Sequence, residues 1–169
     1  MTKTISSLAI ILLIASITTN SICQTKQKSK TMETLTKKQS KEVVQDFFTA
    51  FGKGDFNGVV NSFHDSCTII AVRDVSRTGG EIYGSYKGKD GVKTFLSNLG
   101  NAFDTKAFTV ENVVGEGSVS FANGKFTHVI KSTGKSFSSD WALMCVIRDG
   151  KILEYHFYED SQKFFEASK

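Results

Sequence analysis

Apolar residues between Lys41 and Phe63 recur three and four positions apart, the spacing of a helix face. Val43, Val44, Phe47, Phe48 and Phe51 make the first such face. Thr36 and Gln39 are placed ahead of it as a capping box, and Gly52 and Gly54 follow as a stop. Asp55 is placed to cap a second, short helix with Phe56, Val59, Val60 and Phe63 on its apolar side. Residues 67–73 are rich in β-branched side chains and read as a strand. A polar loop with Gly79, Gly80 and Gly84 spans 74–87, and Val92, Phe95, Leu96 and Leu99 then restore helical spacing. From Phe108 onward the period falls to two. Strands are predicted over 108–115, 119–131, 135–147 and 151–158, with Gly134 and Asp149-Gly150 at the turns. Asn123-Gly124 reads as a bulge in one long strand, because a hairpin there would leave very short arms. A helical turn at 161–167 closes the chain. Helices first and a meander afterwards give the α+β class, with helices packed on one sheet face.

Residues 1–23 stand apart from this pattern. Lys3, the apolar run Leu8 to Ile17 and the polar stretch to Cys23 have the layout of a cleavable secretory signal. The run is too short for a membrane span, which needs roughly 20 residues, so no transmembrane helix is expected in the mature chain. The expected location is periplasmic or secreted. A lipid anchor on Cys23 is the weaker alternative, since Asn20, Ser21 and Ile22 are a poor context for one. Residues 24–35 form a basic polar tether, and residues 36–169 are the size of one domain. The net charge is +4, with lysines 26, 28, 30, 37, 38 and 41 crowded ahead of and into the first helix. No aromatic-rich basic surface accompanies them, which argues against a nucleic-acid partner. Cys67 and Cys145 read as buried free thiols, because a domain of this size needs no disulfide. No CxxC, HExxH or phosphate-binding glycine loop occurs, so no metal and no cofactor is expected.

Three segments, in order, resemble the SnoaL-like group of the nuclear-transport-factor-2-like superfamily, whose fold is shared with ketosteroid isomerases and limonene epoxide hydrolases. Residues 43–65, VVQDFFTAFGKGDFNGVVNSFHD, are similar to its paired opening helices with a central Gly-Asp. Residues 86–96, YKGKDGVKTFL, are similar to its Tyr-x-Gly lead into the third helix. Residues 141–160, WALMCVIRDGKILEYHFYED, are similar to its last hairpin around Asp-Gly-Lys-Ile, ending in Tyr-x-Asp. The resemblance spans Lys41 to Ala167. It implies a cone, in which a strongly curved, mainly antiparallel sheet wraps the N-terminal helices and encloses an apolar pocket, commonly in a homodimer. It does not carry the family's chemistry. Phe47 stands where the isomerases hold their oxyanion with a tyrosine, and Ala71 where they place the general base. Leu143 falls near their protonated aspartate. Phe157 stands where the epoxide hydrolases and cyclases use an aspartate. None of these side chains gives or takes a proton.

Register arguments select the pocket face. With Thr133-Gly134 as a two-residue turn, His128 pairs with Ser139 and Phe126 with Trp141, so Phe126, His128, Trp141 and Leu143 share the apolar face. At Asp149-Gly150 a three-residue turn is preferred. A two-residue turn would bury Glu154 unpaired, at a cost on the order of a few kcal/mol, whereas the longer turn sends Leu153, Tyr155 and Phe157 inward. The expected ligand-binding set is Phe47, Phe51, Ala71, Arg73 at the mouth, Phe126, His128, Trp141, Leu143, Tyr155 and Phe157. His128 is the candidate acid/base or ligand-orienting group, neutral at pH 7 through burial. A structural histidine bonded to Ser139 or to backbone is the other reading of it. His64 reads as a helix-end residue, and Glu154, His156 and Asp160 as outer-face or rim residues. On the outer face Ala142, Met144, Val146 and Ile152 form an apolar patch with a polar rim, as a homodimer interface would have. The preferred function is an exported protein that binds a small apolar or aromatic molecule in the cone. Two alternatives stay open: an isomerase, cyclase or hydrolase with a reduced acid/base set centred on His128, and a structural or partner-binding module whose cavity is filled.

Overall fold

The computed structural model describes residues 38–169; the signal segment with Cys23, the tether and Thr36 lie outside the described residues. Helix α1 (Ser40–Gly52) takes Gln39 as its N-cap. The Glu42 carboxylate accepts from the Gln39 backbone N–H at 3.0 Å, so the capping pair is Gln39 and Glu42, three residues later than expected. The helix ends in a Schellman motif: Asp55 N–H donates to Ala50 O at 2.9 Å and Gly54 N–H to Phe51 O at 3.0 Å. Gly54 closes it at φ +67°. Asp55 then caps α2 (Phe56–Asn61) by accepting from Gly58 N–H at 2.8 Å.

The chain continues through β1 (Phe63–Ala71), β2 (Gly84–Lys87), α3 (Gly88–Ala102), β3 (Phe103–Glu116), β4 (Val119–Ile130), β5 (Ser136–Arg148), β6 (Lys151–Glu159) and α4 (Ser161–Ala167). The class is α+β, with helices packed against a curved, unclosed six-stranded sheet. Its strand order is β2-β1-β6-β5-β4-β3. All neighbours are antiparallel except β1 and β6, which run parallel. Val44, Phe47, Phe63, Ile69, Val92, Leu143 and Tyr155 join α1, α3 and the inner sheet face in one core.

Two turns differ from the sequence reading, with different consequences. Ile130 N–H donates to Lys135 O at 2.9 Å, so residues 131–134 make a four-residue connection. His128 therefore pairs with Phe137, Phe126 with Ser139 and Gly124 with Trp141. The slip is two residues, an even number, and each side chain keeps its face. The second turn is the short one: Arg148 pairs with Lys151 across Asp149 (φ +52°) and Gly150 (φ +71°), as in a type I′ hairpin. The register then shifts between Val146 and Ile147, leaving Leu153 unpaired as a bulge. Tyr155 and Phe157 reach the inner face by that bulge, not by a longer turn. The short turn itself sets Ile152 opposite Ile147 on the inner face, at 0% exposure, which removes it from the outer patch. Cys67 and Cys145 are free and buried.

Strand β4 is one long strand, and its irregularity falls on its neighbour: β3 bulges at Glu111, opposite Asn123 and Gly124. Gly124 is fixed by space. A Cβ there would lie 1.9 Å from Thr109 O and 2.7 Å from Trp141 Cζ2.

Candidate ligand cavity

Between α1, α3 and the inner sheet face lies a cavity of about 290 Å³. Its wall includes the rings of Phe47, Phe51, Phe95, Phe103, Phe108, Tyr155 and Phe157. The rings brace one another: Phe47 meets Tyr155 edge-on at 5.7 Å, and Tyr155 lies nearly parallel to Phe157 at 6.3 Å. Such pairs stiffen the wall beyond what their buried area contributes.

Apart from the exposed Asp55 and Thr105, two polar sites interrupt this surface. On β4, His128 is stacked between Phe103 (4.8 Å) and Phe126 (4.2 Å), and its Nδ1 lies 3.0 Å from Thr105 Oγ1. Burial pushes its pKa down to about 4, so the imidazole is neutral at pH 7 and exchanges hydrogen bonds without holding a second proton. At the end of β6, Glu159 accepts a 2.5 Å hydrogen bond from the Tyr83 hydroxyl, and both residues line the cavity. Burial raises the Glu159 carboxyl to about 7; Asp160 adds to the rise and the Tyr83 bond opposes it. Burial and the facing carboxylate hold the Tyr83 phenol well above its ordinary value, so it stays a donor. Among the described residues no group of His, Cys, Asp and Glu is arranged to hold a metal ion. None of the described helices is long and apolar enough to cross a membrane.

The family model for the SnoaL-like domain matches residues 44–155. The chain belongs to the SnoaL-like domain family. Among solved structures, an NTF2-like protein of Burkholderia thailandensis is 19% identical with a TM-score of 0.69, over 78% of this chain and 98% of that one. A Mesorhizobium loti protein named as a SnoaL-like polyketide cyclase is 20% identical with a TM-score of 0.58, over 69% and 96%. A Bacillus subtilis protein named as an isomerase is 14% identical with a TM-score of 0.62, over 76% and 91%. These likenesses establish the nuclear-transport-factor-2-like fold. No curated protein matches the sequence.

Of the ten residues expected at the site of this SnoaL-like domain, Phe47, Phe51, Ala71, His128, Tyr155 and Phe157 line the cavity. The other four do not. Leu143 (1% exposed) and Phe126 (2%) belong to the packed layer behind the wall. Trp141 lies in that layer too, stacked on Phe108 at 5.1 Å and on Phe157 at 5.6 Å, with its indole N–H buried and unpartnered in the described protein. Arg73 is exposed beyond the end of β1. Alternation identifies a face but not the depth at which aromatic packing fills it. The partner of His128 is Thr105 and not Ser139, whose hydroxyl accepts from Asp160 N–H at 2.9 Å. His64 lies in β1, where Nδ1 accepts from Ser66 N–H at 3.1 Å, rather than at a helix end. Glu154 and His156 stay outside, 3.4 Å apart, and Asp160 caps α4 through Lys163 N–H at 3.2 Å.

Sequence reasoning missed Glu159 and Tyr83. For Glu159 a signal existed: the alternation that sends Tyr155 and Phe157 inward sends residue 159 inward next, but the predicted strand ended at Tyr158. Tyr83 sits in a loop without periodicity. Arg77 organises that loop, its Nε donating to Glu81 O at 2.9 Å and its Nη2 to Gly79 O at 2.7 Å. The same guanidinium caps the Tyr86 ring at 3.8 Å.

Proposed function

We propose that this protein binds a small, mainly apolar molecule with a ring system in the cavity, and that it does so outside the cytoplasm. The observation that carries the reading is the ring-walled space itself, about 290 Å³ in a domain whose inherited catalytic positions hold Phe47, Ala71 and Phe157. That volume is near the lower end of small-molecule sites, roughly 300–1,000 Å³, and suits a molecule of one or two rings. The open space speaks against a module with a filled cavity. Export rests on the signal-like residues 1–23 alone. Protein purified from periplasm or culture medium should carry a retained small molecule in native mass spectrometry. It should also brighten a naphthalene-sulfonate dye that one- and two-ring aromatics displace. Neither retained ligand nor dye binding at micromolar protein would sink the reading.

A catalytic reading has one observation in its favour, the near-neutral Glu159 carboxyl on the cavity wall. The Mesorhizobium and Bacillus relatives bear the names cyclase and isomerase. In such an enzyme Glu159 with Tyr83, not His128, would be the acid/base centre, because a general base works best with a pKa near the operating pH.

We also propose a homodimer through the outer sheet face. Val114, Phe121, Met144, His156 and Ile70 follow one another across five adjacent strands, and Val114 and Phe121 are 61% and 53% exposed. With Ala142, Val146 and Tyr158 beside this row, the face is more apolar than a monomer normally leaves in water.

A further inference from the structure

Glu159 has an uncommon setting for a carboxylate. It ends β6 on the wall of a cavity rich in rings. Tyr83 satisfies Oε1; among the described residues nothing donates to Oε2. Nor does any lysine, arginine or histidine nitrogen among them come within the 4.0 Å of an ion pair. Carboxylates withdrawn from water are ordinarily paired. This one has a phenol and no cation.

The backbone withholds the natural partner. Strands β1 and β6 are parallel with Ala71 opposite Phe157, so a straight β1 would carry Arg73 to the position opposite Glu159, on the same face. The chain instead turns at Val72, which has φ +63°. Arg73 N–H donates to Ala71 O at 2.7 Å, the bond of a γ-turn of the rare hand. A β-branched residue in that conformation is strained, and such strain collects at ligand sites. Arg73 ends exposed, with its guanidinium 5.9 Å from the Tyr83 ring centre. Asp160, the next residue along, is engaged with Lys163, accepting from its N–H at 3.2 Å and lying 3.6 Å from its ammonium. The charged and titratable groups around Glu159 are therefore Tyr83, Arg73, Asp160 and the buried Tyr155 phenol, and none of them neutralises it. Its raised pKa, near 7, is the expected result.

We propose that the Glu159 carboxylate anchors a cationic group of the ligand, so that the cavity takes an organic amine, protonated or quaternary, with a ring-bearing apolar body. The inference rests on the ligand-binding reading above and names its chemical class. An ammonium supplies the donor or counter-charge that Oε2 lacks. The rings of the wall around it attract it through their quadrupoles, and the body of the ligand lies against Phe47, Phe95 and Tyr155. Arg73, a cation that could compete, is held out by the turn at Val72.

The test is calorimetry of the full chain with phenethylamine and with 2-phenylethanol, its neutral counterpart, near pH 8 and near pH 5. The amine should bind about tenfold or more tightly than the alcohol at the higher pH. The preference should shrink at the lower pH, where Glu159 is protonated, and should vanish in Glu159→Gln at both. Amine binding near pH 7 should also release a proton, read as a dependence of the heat on buffer ionisation. This measurement uses wild-type protein and stands if the variant does not fold. Equal affinities near pH 8, or no proton release, overturn the cationic anchor while leaving a binding cavity. If neither compound binds, the ligand-binding reading falls and takes this inference with it.

Discussion

Replacing Glu159 by glutamine separates the charge of the cavity wall from its shape. A carboxamide keeps an oxygen for the Tyr83 hydroxyl, which donates at 2.5 Å in the wild type, and changes the volume little. What it removes is the titration. The carboxyl moves from 4.5 to about 7 on folding, chiefly because burial penalises its charged form. At about 1.4 kcal/mol per pH unit, such a rise corresponds to about 3 kcal/mol, fewer where water still reaches the group. The folded chain holds this proton more tightly than the unfolded chain does. The contribution is therefore complete below pH 4.5, declines as pH rises, and is gone above about 7. His128 works in the opposite sense. Burial lowers it from 6.5 to about 4, the unfolded chain binds that proton more tightly, and stability is lost as pH falls through the same interval. In the wild type the two slopes oppose each other between about pH 4.5 and 6.5, which hides both. Urea unfolding of wild type and Glu159→Gln across that interval and up to about pH 8 exposes the first. The stability of the wild type relative to the variant should fall by about 2–3 kcal/mol from the acid end to the alkaline end. A difference that stays flat within about 0.5 kcal/mol would refute the burial of a proton on Glu159.

His128→Phe should show the complementary trend. Relative to wild type it should be more stable near pH 5, where the buried ring no longer resists protonation, and less stable by about 1 kcal/mol near pH 7.5, where the Thr105 bond is lost; urea titration at the two pH values reads both. Met144→Asp, at the middle of the apolar row on the outer face, should convert a sedimenting dimer to monomer at micromolar concentration with the circular dichroism spectrum preserved; a wild type that sediments only as monomer disproves that interface.

What could be read in advance followed from where the chain is periodic. Helix α1 was legible because its five apolar residues repeat at helical spacing and Gly54 marks the stop. The inner face of β5 was legible because Phe137 and Trp141 alternate with Ser136, Ser138, Asp140 and Ala142. Turn lengths were not, since Gly134 permits a left-handed residue (φ +71°) without saying how many residues precede it. The face assignment survived one error because the slip was even, and survived the other because the bulge at Leu153 did the work assigned to a longer turn. Ile152 had no such protection, and it moved from the outer patch to the core. Strand β2 has only four residues, too few for a period to rise above the polar loop around it.

The groups with the most chemical consequence sit where periodicity ends. Tyr83 comes from a loop ordered by Arg77, Glu159 is the last residue of its strand, and Arg73 lies just past a turn no pattern announces. The charge state of Glu159 depends on all three at once. With β1 running straight for two more residues, Arg73 would face the carboxylate and hold it ionised, and the cavity would contain a closed ion pair. With Val72 at positive φ, the carboxylate keeps only a phenol and titrates near neutrality. One backbone dihedral thus decides whether Glu159 offers the cavity an open negative charge. That dihedral leaves no trace in the order of apolar and polar residues.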